Sequence, residues 1–409
     1  MTLAIRVLAG LVAGFLLGLA LAGSSSPVAA TTIAILAPVG TIFVNLIRMT
    51  VIPLVVSMVV ASVGGMTVSG ALGRTVVRAL VISIVLLSIA AVGSLLIALP
   101  IFASLQIDQA AALALGGAGA ASPGAVPPAT GTLAQWFVAL VPQNIFQAAA
   151  DGAMVPLILF AVLFGLALAR VDAARRDAVL RVAQGIADTM QRIVFWILAL
   201  APIGVFALAV PLASRLGLGA AGAVLAYVAL VVALTVVAVA LLYPIGVVAG
   251  RMSFSAFVSY CAPAQAIAFA SRSSLAALPA MVASAERAEL PPGASRVVLP
   301  LALAVFHFGA AVAQTVGVVF LARLYGVTLA PPQLATIVFA VVLATFAVPG
   351  IPGGSIIAMV PVLAAANLPL DGIGILLAVD TIPDMFRTTA NVTGALTLTT
   401  LLPAPEEGS

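Results

Sequence analysis

The chain has 409 residues, 64% of them hydrophobic and 7% charged, with 16 basic residues against 12 acidic ones for a formal net charge of +4. A mean hydropathy of +1.32 excludes a soluble globular domain and leaves no charged surface for nucleic acid, so no nucleic-acid partner is expected. The composition is that of an all-α polytopic membrane protein whose surroundings are lipid, with the basic excess that cytoplasmic ends carry. All the basic residues are arginine, which reads as a composition bias. A single cysteine, Cys261, excludes an intrachain disulfide and any multi-cysteine metal site.

Apolar stretches of spanning length run over 4–22, 32–63, 74–102, 133–170, 182–212, 220–250, 295–323 and 371–402. They predict eight transmembrane helices. The first follows Met1-Thr-Leu-Ala-Ile-Arg6 with no small-residue cleavage site, so it reads as a retained span. Residues 105–132 are rich in Gly, Ala and Pro and read as a flexible loop. The 133–170 stretch contains Pro142-Gln-Asn144 and Asp151-Gly152, which break it into pieces. Stretches longer than about 20 residues tilt or extend beyond the bilayer.

Arginine placement orients the chain. Arg6, Arg74, Arg78, Arg170, Arg175, Arg176, Arg181, Arg251, Arg287 and Arg296 fall on one side if the N-terminus is cytoplasmic, and Arg215 and Arg323 on the other. Residues 251–294 then enter and return without crossing, around a tip of Ser271-Arg272-Ser273-Ser274. A second segment, 331–368, does the same from outside, around Pro349-Gly350-Ile351-Pro352-Gly353-Gly354-Ser355. No continuous helix survives that sequence. Backbone groups freed by such breaks cannot face lipid, so they line a cavity or are buried in protein. Paired interrupted segments in corresponding halves point to a transporter site at an inverted-repeat interface.

The last span carries the chemistry. Asp380, Asp384, Arg387 and Asn391 are spaced i, i+4, i+7, i+11, which places them on one helix face. At membrane depth each charge costs about 2.5–3.5 kcal/mol, so the face meets protein, water or a ligand. One reading is structural: Asp384 and Arg387 pair with each other and with Arg272. The other is recognition: Asp384 holds an ammonium and Arg387 grips a carboxylate with its fork, while Thr388 and Asn391 supply hydrogen bonds. Asp380 lies a turn away as an ion-pair residue, with Arg272 as its expected partner. The one histidine, His307, sits between Phe306 and Phe308. It reads as a neutral packing residue or as a candidate proton carrier. No nucleophile–base pair appears, and neither an enzyme, a cofactor nor a metal centre is expected.

These residues resemble the glutamate transporter family of dicarboxylate and amino acid:cation symporters, over nearly the whole chain. The carriers of the resemblance are Asp380-x-x-x-Asp384-Met-x-Arg387-Thr-x-x-Asn391-Val-Thr-Gly, Ser271-Arg-Ser-Ser-x-x-x-Leu-Pro279, Gly350-Ile-Pro-Gly353, Leu200-Ala-Pro-Ile-Gly-Val-Phe206 and Val141-Pro-x-Asn144. The resemblance implies a homotrimer in a prokaryotic-type inner membrane, working as an elevator. It implies scaffold helices over 1–72, a transport-domain helix over 73–102, and helices 4–6 over 103–250, of which the last moves. A transport core covers 251–409, with hairpins at 251–294 and 331–368 and helices at 295–323 and 371–402. Arg387 would bind the side-chain carboxylate of L-aspartate or L-glutamate and Asp384 its amino group. Thr388, Asn391 and Ser274 would take the remaining contacts. Arg272, Ser273, Gly350, Ile351, Gly354 and Ser355 would close around the ligand.

The departures are equally specific. The family motif Asn-Met-Asp-Gly-Thr aligns with Phe306-His307-Phe308-Gly309-Ala310, and a later Asp with Ala395. A Thr-Ser pair aligns with Leu86-Leu87, and a hydroxyl with Val348. Phe and Ala offer no oxygen to sodium, so the expected activity is sodium-independent transport of acidic amino acids, proton-coupled or uncoupled. A sodium-coupled symporter, a binding sensor that moves nothing and an anion-conducting pore are the alternatives.

Overall fold

A computed structural model of the chain describes residues 3–22, 26–65, 71–104, 138, 141–216, 218–290, 298–348, 350 and 352–402. The segment 105–132, Arg296 and Ile351 lie outside the described residues. Among these residues every regular element is helical. The first part of the chain forms α1 (Leu3–Leu21), α2 (Pro27–Gly64), α3 (Ala71–Ala103), α4 (Ile145–Ala150), α5 (Met154–Leu168), α6 (Ala173–Ala199), α7 (Ala201–Leu216) and α8 (Leu218–Gly250). The second forms α9 (Phe254–Ser271), α10 (Ser274–Arg287), α11 (Leu299–Val305), α12 (Phe308–Leu324), α13 (Pro331–Thr345), α14 (Gly354–Ile357), α15 (Val360–Ala365), α16 (Gly372–Val379) and α17 (Thr381–Leu401).

Three stretches expected as single spans are broken. The 182–212 stretch bends by 59° between α6 and α7. Pro202, in the second position of α7, has no N–H to give and its ring crowds the preceding turn. The 371–402 stretch breaks at Asp380, three residues before Pro383, which cannot donate to Val379. The 295–323 stretch breaks at Phe306 and His307, whose backbones leave the helical region (φ/ψ −108/77 and −97/74). No proline lies at that break. A side chain from α17 holds it open, as described below.

The helices sort into two groups. α2 packs against α5, α6 and α7, and α1 lies along α7. α12 packs against α3, α8, α13 and α17, with α9 also on α17. All of α12 except Arg323 is buried, as expected of a helix apolar all round. The outer faces of α3 and α8 expose Val81, Val85, Ile89 and Leu96 and Leu225, Val237 and Leu241, which lipid can cover.

The α1–α7 contact depends on missing side chains. A Cβ on Gly10, Gly14 or Gly18 would lie 2.3, 2.6 or 2.5 Å from the carbonyl oxygens of Pro202, Phe206 and Val210. Small residues four apart allow two helix backbones this close in a membrane. Gly14→Val is therefore expected to push α1 off α7 and destabilise the protein by about 1–3 kcal/mol, as overpacking does. A thermal-unfolding scan in detergent checks this; an unchanged transition would count against the close packing.

Candidate functional site

The two hairpin tips and α17 meet. The first tip turns at Arg272, which caps α9 in the left-handed conformation (φ 55) and donates its N–H to Ala268 O. Ser273 caps α10: its Oγ accepts from Ala276 N and donates to Gly350 O at 3.0 Å. Ser274 begins α10 and is buried. The second tip turns at Gly353 (φ 75), whose N–H donates to Asp384 Oδ2 at 3.2 Å. Gly354 and Ser355 follow, both buried in α14. One tip is thus tied to the other, and the second tip to α17, each by one hydrogen bond.

Arg387 is the centre of the site and is fully buried. Its Nη1 and Nη2 each donate to one oxygen of Asp380 at 2.8 Å, and Nη2 also donates to Asp384 Oδ1 at 2.5 Å. Charge-assisted forks of this kind are the strong hydrogen bonds of proteins. The sequence expectation gave Asp380 to Arg272; the structure gives it to Arg387. Asp380 reaches back across the break ahead of α17, and Asp384 lies one turn before the arginine. Arg272 lines a cavity of about 70 Å³ with Asp380, Gly353, Pro352 and Thr381. Thr388 is buried in the next position of α17.

Asn391 has structural work at this site. Its Oδ1 accepts from Gly309 N at 2.8 Å and Ala310 N at 3.3 Å, the first free amides of α12. This is how the chain breaks at His307 without a proline: α17 supplies the cap. A Cβ on Gly309 would lie 2.3 Å from Arg387 O, so only glycine brings α12 this close to the arginine.

His307 is buried, and its Nδ1–H donates to Thr345 O at 3.0 Å. A carbonyl only accepts, so Nδ1 carries the hydrogen and Nε2 the lone pair. Nε2 has no partner among the described residues. The rings on either side, Phe306 and Phe308, lie 5.9 Å apart at 46° and pack on Gly394, where a Cβ would be 2.9 Å from Phe306 Cε1. Ala310 and Val348 bury against Ala358 in a small apolar cluster of their own.

Gln314 and Gly353 were not among the expected site residues. Gln314 lies within α12 and donates from Nε2 to Ser355 O at 2.9 Å, holding the second tip from behind. A single amide in an apolar span was the signal available for it. Gly353 was visible in the tip motif, but its bond to Asp384 was not. A larger cavity of about 430 Å³ between α1, α7, α8 and α16 is lined almost wholly by apolar side chains and has no charge to orient a polar ligand.

Broken helices that meet around buried charges at membrane depth define a secondary transporter. The family model described as "Sodium:dicarboxylate symporter family" matches residues 3–404. The "Proton/glutamate-aspartate symporter" of Escherichia coli (strain K12) is 28% identical over 398 residues, covering 96% of this chain and 90% of that protein. The "Proton/sodium-glutamate symport protein" of Bacillus subtilis (strain 168) is 28% identical over 396 residues, with coverage of 96% and 90%. The protein of the same description from Bacillus caldotenax is 28% identical over 400 residues, with coverage of 96% and 91%. The chain belongs to the sodium:dicarboxylate symporter family, whose members are membrane transporters and not enzymes.

Proposed function

We propose that the protein carries aspartate or glutamate across the cell inner membrane, coupled to protons and independent of sodium. The observation that carries this reading is the buried Asp384–Arg387 pair beneath both hairpin tips. A carboxylate and a guanidinium side by side suit the ammonium and the extra carboxylate of an acidic amino acid. A dicarboxylate without an amino group would meet Asp384 as a like charge. Thr388, Asn391, Ser274 and the backbone of Arg272 and Ser355 complete the ligand contacts, and Gly350 and Gly354 shape the lid. The relatives described as glutamate and aspartate symporters support this substrate class.

The sodium claim rests on volume and chemistry. Phe306 and Phe308 fill the space beside Gly394 with phenyl rings, and Ala395 is buried one residue on. Sodium needs oxygen ligands. The proton claim rests on charge. Arg272 and Arg387 balance Asp380 and Asp384, and an acidic amino acid adds one negative charge. One proton restores neutrality for the crossing, where an uncompensated charge costs about 2.5–3.5 kcal/mol.

The carboxylates carry that proton rather than His307. A second ring N–H on His307 would be buried without an acceptor among the described residues, at a cost of about 1–3 kcal/mol. His307→Gln is expected to keep uptake driven by a pH gradient; loss of that drive alone would make His307 the carrier. The moving unit consists of α3 and α8 to α17, the scaffold of α1, α2 and α5 to α7, and three copies assemble with cytoplasmic N-termini.

Uptake of labelled aspartate into proteoliposomes tests the reading, with and without sodium and with the outside acidified. Uptake driven by the pH gradient in sodium-free buffer is expected. Strict dependence on sodium overturns the coupling. Binding without flux makes the protein a sensor.

A further inference from the structure

The fork of Arg387 is already filled. Asp380 takes one oxygen to each prong at 2.8 Å, and Asp384 adds a third bond to Nη2. A ligand carboxylate that uses the same fork would bring a third anion against one guanidinium. Like charges at hydrogen-bonding distance do not share a buried site unprotonated or unpaired. A proton relieves the charge but leaves both prongs occupied, so one resident carboxylate has to give way, and the two are not equivalent. Asp384 is held within α17 and by Gly353 N–H. Asp380 is the single residue between α16 and α17, and among the described residues its carboxylate has Arg387 as its one hydrogen-bond partner. It also borders the cavity that Arg272 lines.

The surroundings offer Asp380 a second position. Arg272 is half-buried at the tip of the first hairpin, shares the small cavity with Asp380 and lies within electrostatic reach of it. Tyr227 on α8 is fully buried against Phe320, with ring centroids 4.9 Å apart. Its hydroxyl has no partner among the described residues and lies within electrostatic reach of Asp380 and Arg387. Arg387 Nε is likewise buried and without a partner there. The cluster thus holds more donors than its two carboxylates use.

We propose that Asp380 is a built-in competitor for the fork of Arg387, and that an acidic ligand binds by exchange: its side-chain carboxylate takes the fork while Asp380 transfers to Arg272. The exchange replaces one carboxylate by another, so the guanidinium is never left bare. It also sets specificity. A neutral amino acid brings no anion to displace Asp380, and the fork stays shut to it. This rests on the assignment of Arg387 to the ligand's side chain made above.

Calorimetric titration of aspartate into the full-length protein in lipid nanodiscs tests it. Asp380→Asn removes the competitor and is expected to bind aspartate about tenfold tighter. Arg272→Gln removes the second position and is expected to bind about tenfold weaker. The double variant is expected to match Asp380→Asn, because without Asp380 the second position has no occupant. Unchanged or weaker binding by Asp380→Asn overturns the exchange. If that variant does not fold, unchanged affinity in Arg272→Gln overturns it alone. Failure of the underlying assignment looks different: the unaltered protein binds no aspartate, or Arg387→Lys binds it as tightly as the unaltered protein does.

Discussion

Arg387→Ala is expected to weaken binding of aspartate by roughly 30-fold or more and to destabilise the protein at the same time. The guanidinium is fully buried and serves two carboxylates through three hydrogen bonds. Removing one partner of a buried, hydrogen-bonded charge pair costs binding about 2–5 kcal/mol, roughly 30-fold to several thousand-fold. The stability loss, about 3–5 kcal/mol, comes from leaving Asp380 and Asp384 as neighbouring buried anions. Arg387→Lys separates the two effects. It keeps the charge and loses the planar fork, so the fold is expected to survive while aspartate affinity falls. Titration calorimetry and thermal unfolding of both variants check this. Aspartate affinity undiminished in Arg387→Lys would mean that the fork serves the fold and not the ligand.

Asn391→Ala is expected to have the next largest effect, and to act through α12. Its Oδ1 is the acceptor for two buried amides, Gly309 N and Ala310 N. Each unpaired amide costs about 1–3 kcal/mol. The loss therefore falls on the broken helix that carries His307 and packs on the backbone of Arg387. Asn391→Asp keeps the acceptor and places an anion at a helix N-terminus, which is favourable. The expected order of thermal unfolding is Ala well below Asp, with Asp close to the unaltered protein. Equal transitions for Ala and Asp would remove the capping role.

Much of this arrangement was legible in the sequence because it follows from local rules. The face from Asp380 to Asn391 follows from helical spacing, and the second hairpin tip from its run of Pro and Gly. What was not legible depends on contacts between distant elements. The partner of Asp380 is a different case: Arg272 is the sequence expectation, yet the i, i+7 spacing already puts Asp380 on the face of Arg387, and two hydrogen bonds at 2.8 Å join them. The break at His307 has no local signal and requires Asn391, more than eighty residues on, to accept the freed amides. The bend between α6 and α7 does have a local signal in Pro202, but the continuous apolar content of 182–212 masks it. Gln314 is not legible as a site residue, because one amide in an apolar helix implies a partner without identifying Ser355 O.

The phenyl rings beside Gly394 have a historical consequence. Under the proposed sodium-independent function, bulk stands here where a cation site would need oxygen ligands. Phe308→Asp would remove a buried ring, leave a hole worth about 3–5 kcal/mol on the scale of Phe→Ala changes, and place a lone carboxylate against Phe306 and Gly394. Any single step back is therefore worse than either end point. Several positions would have to change together before an ion gained from any of them, so on the proposed function the core itself resists the return of a cation site.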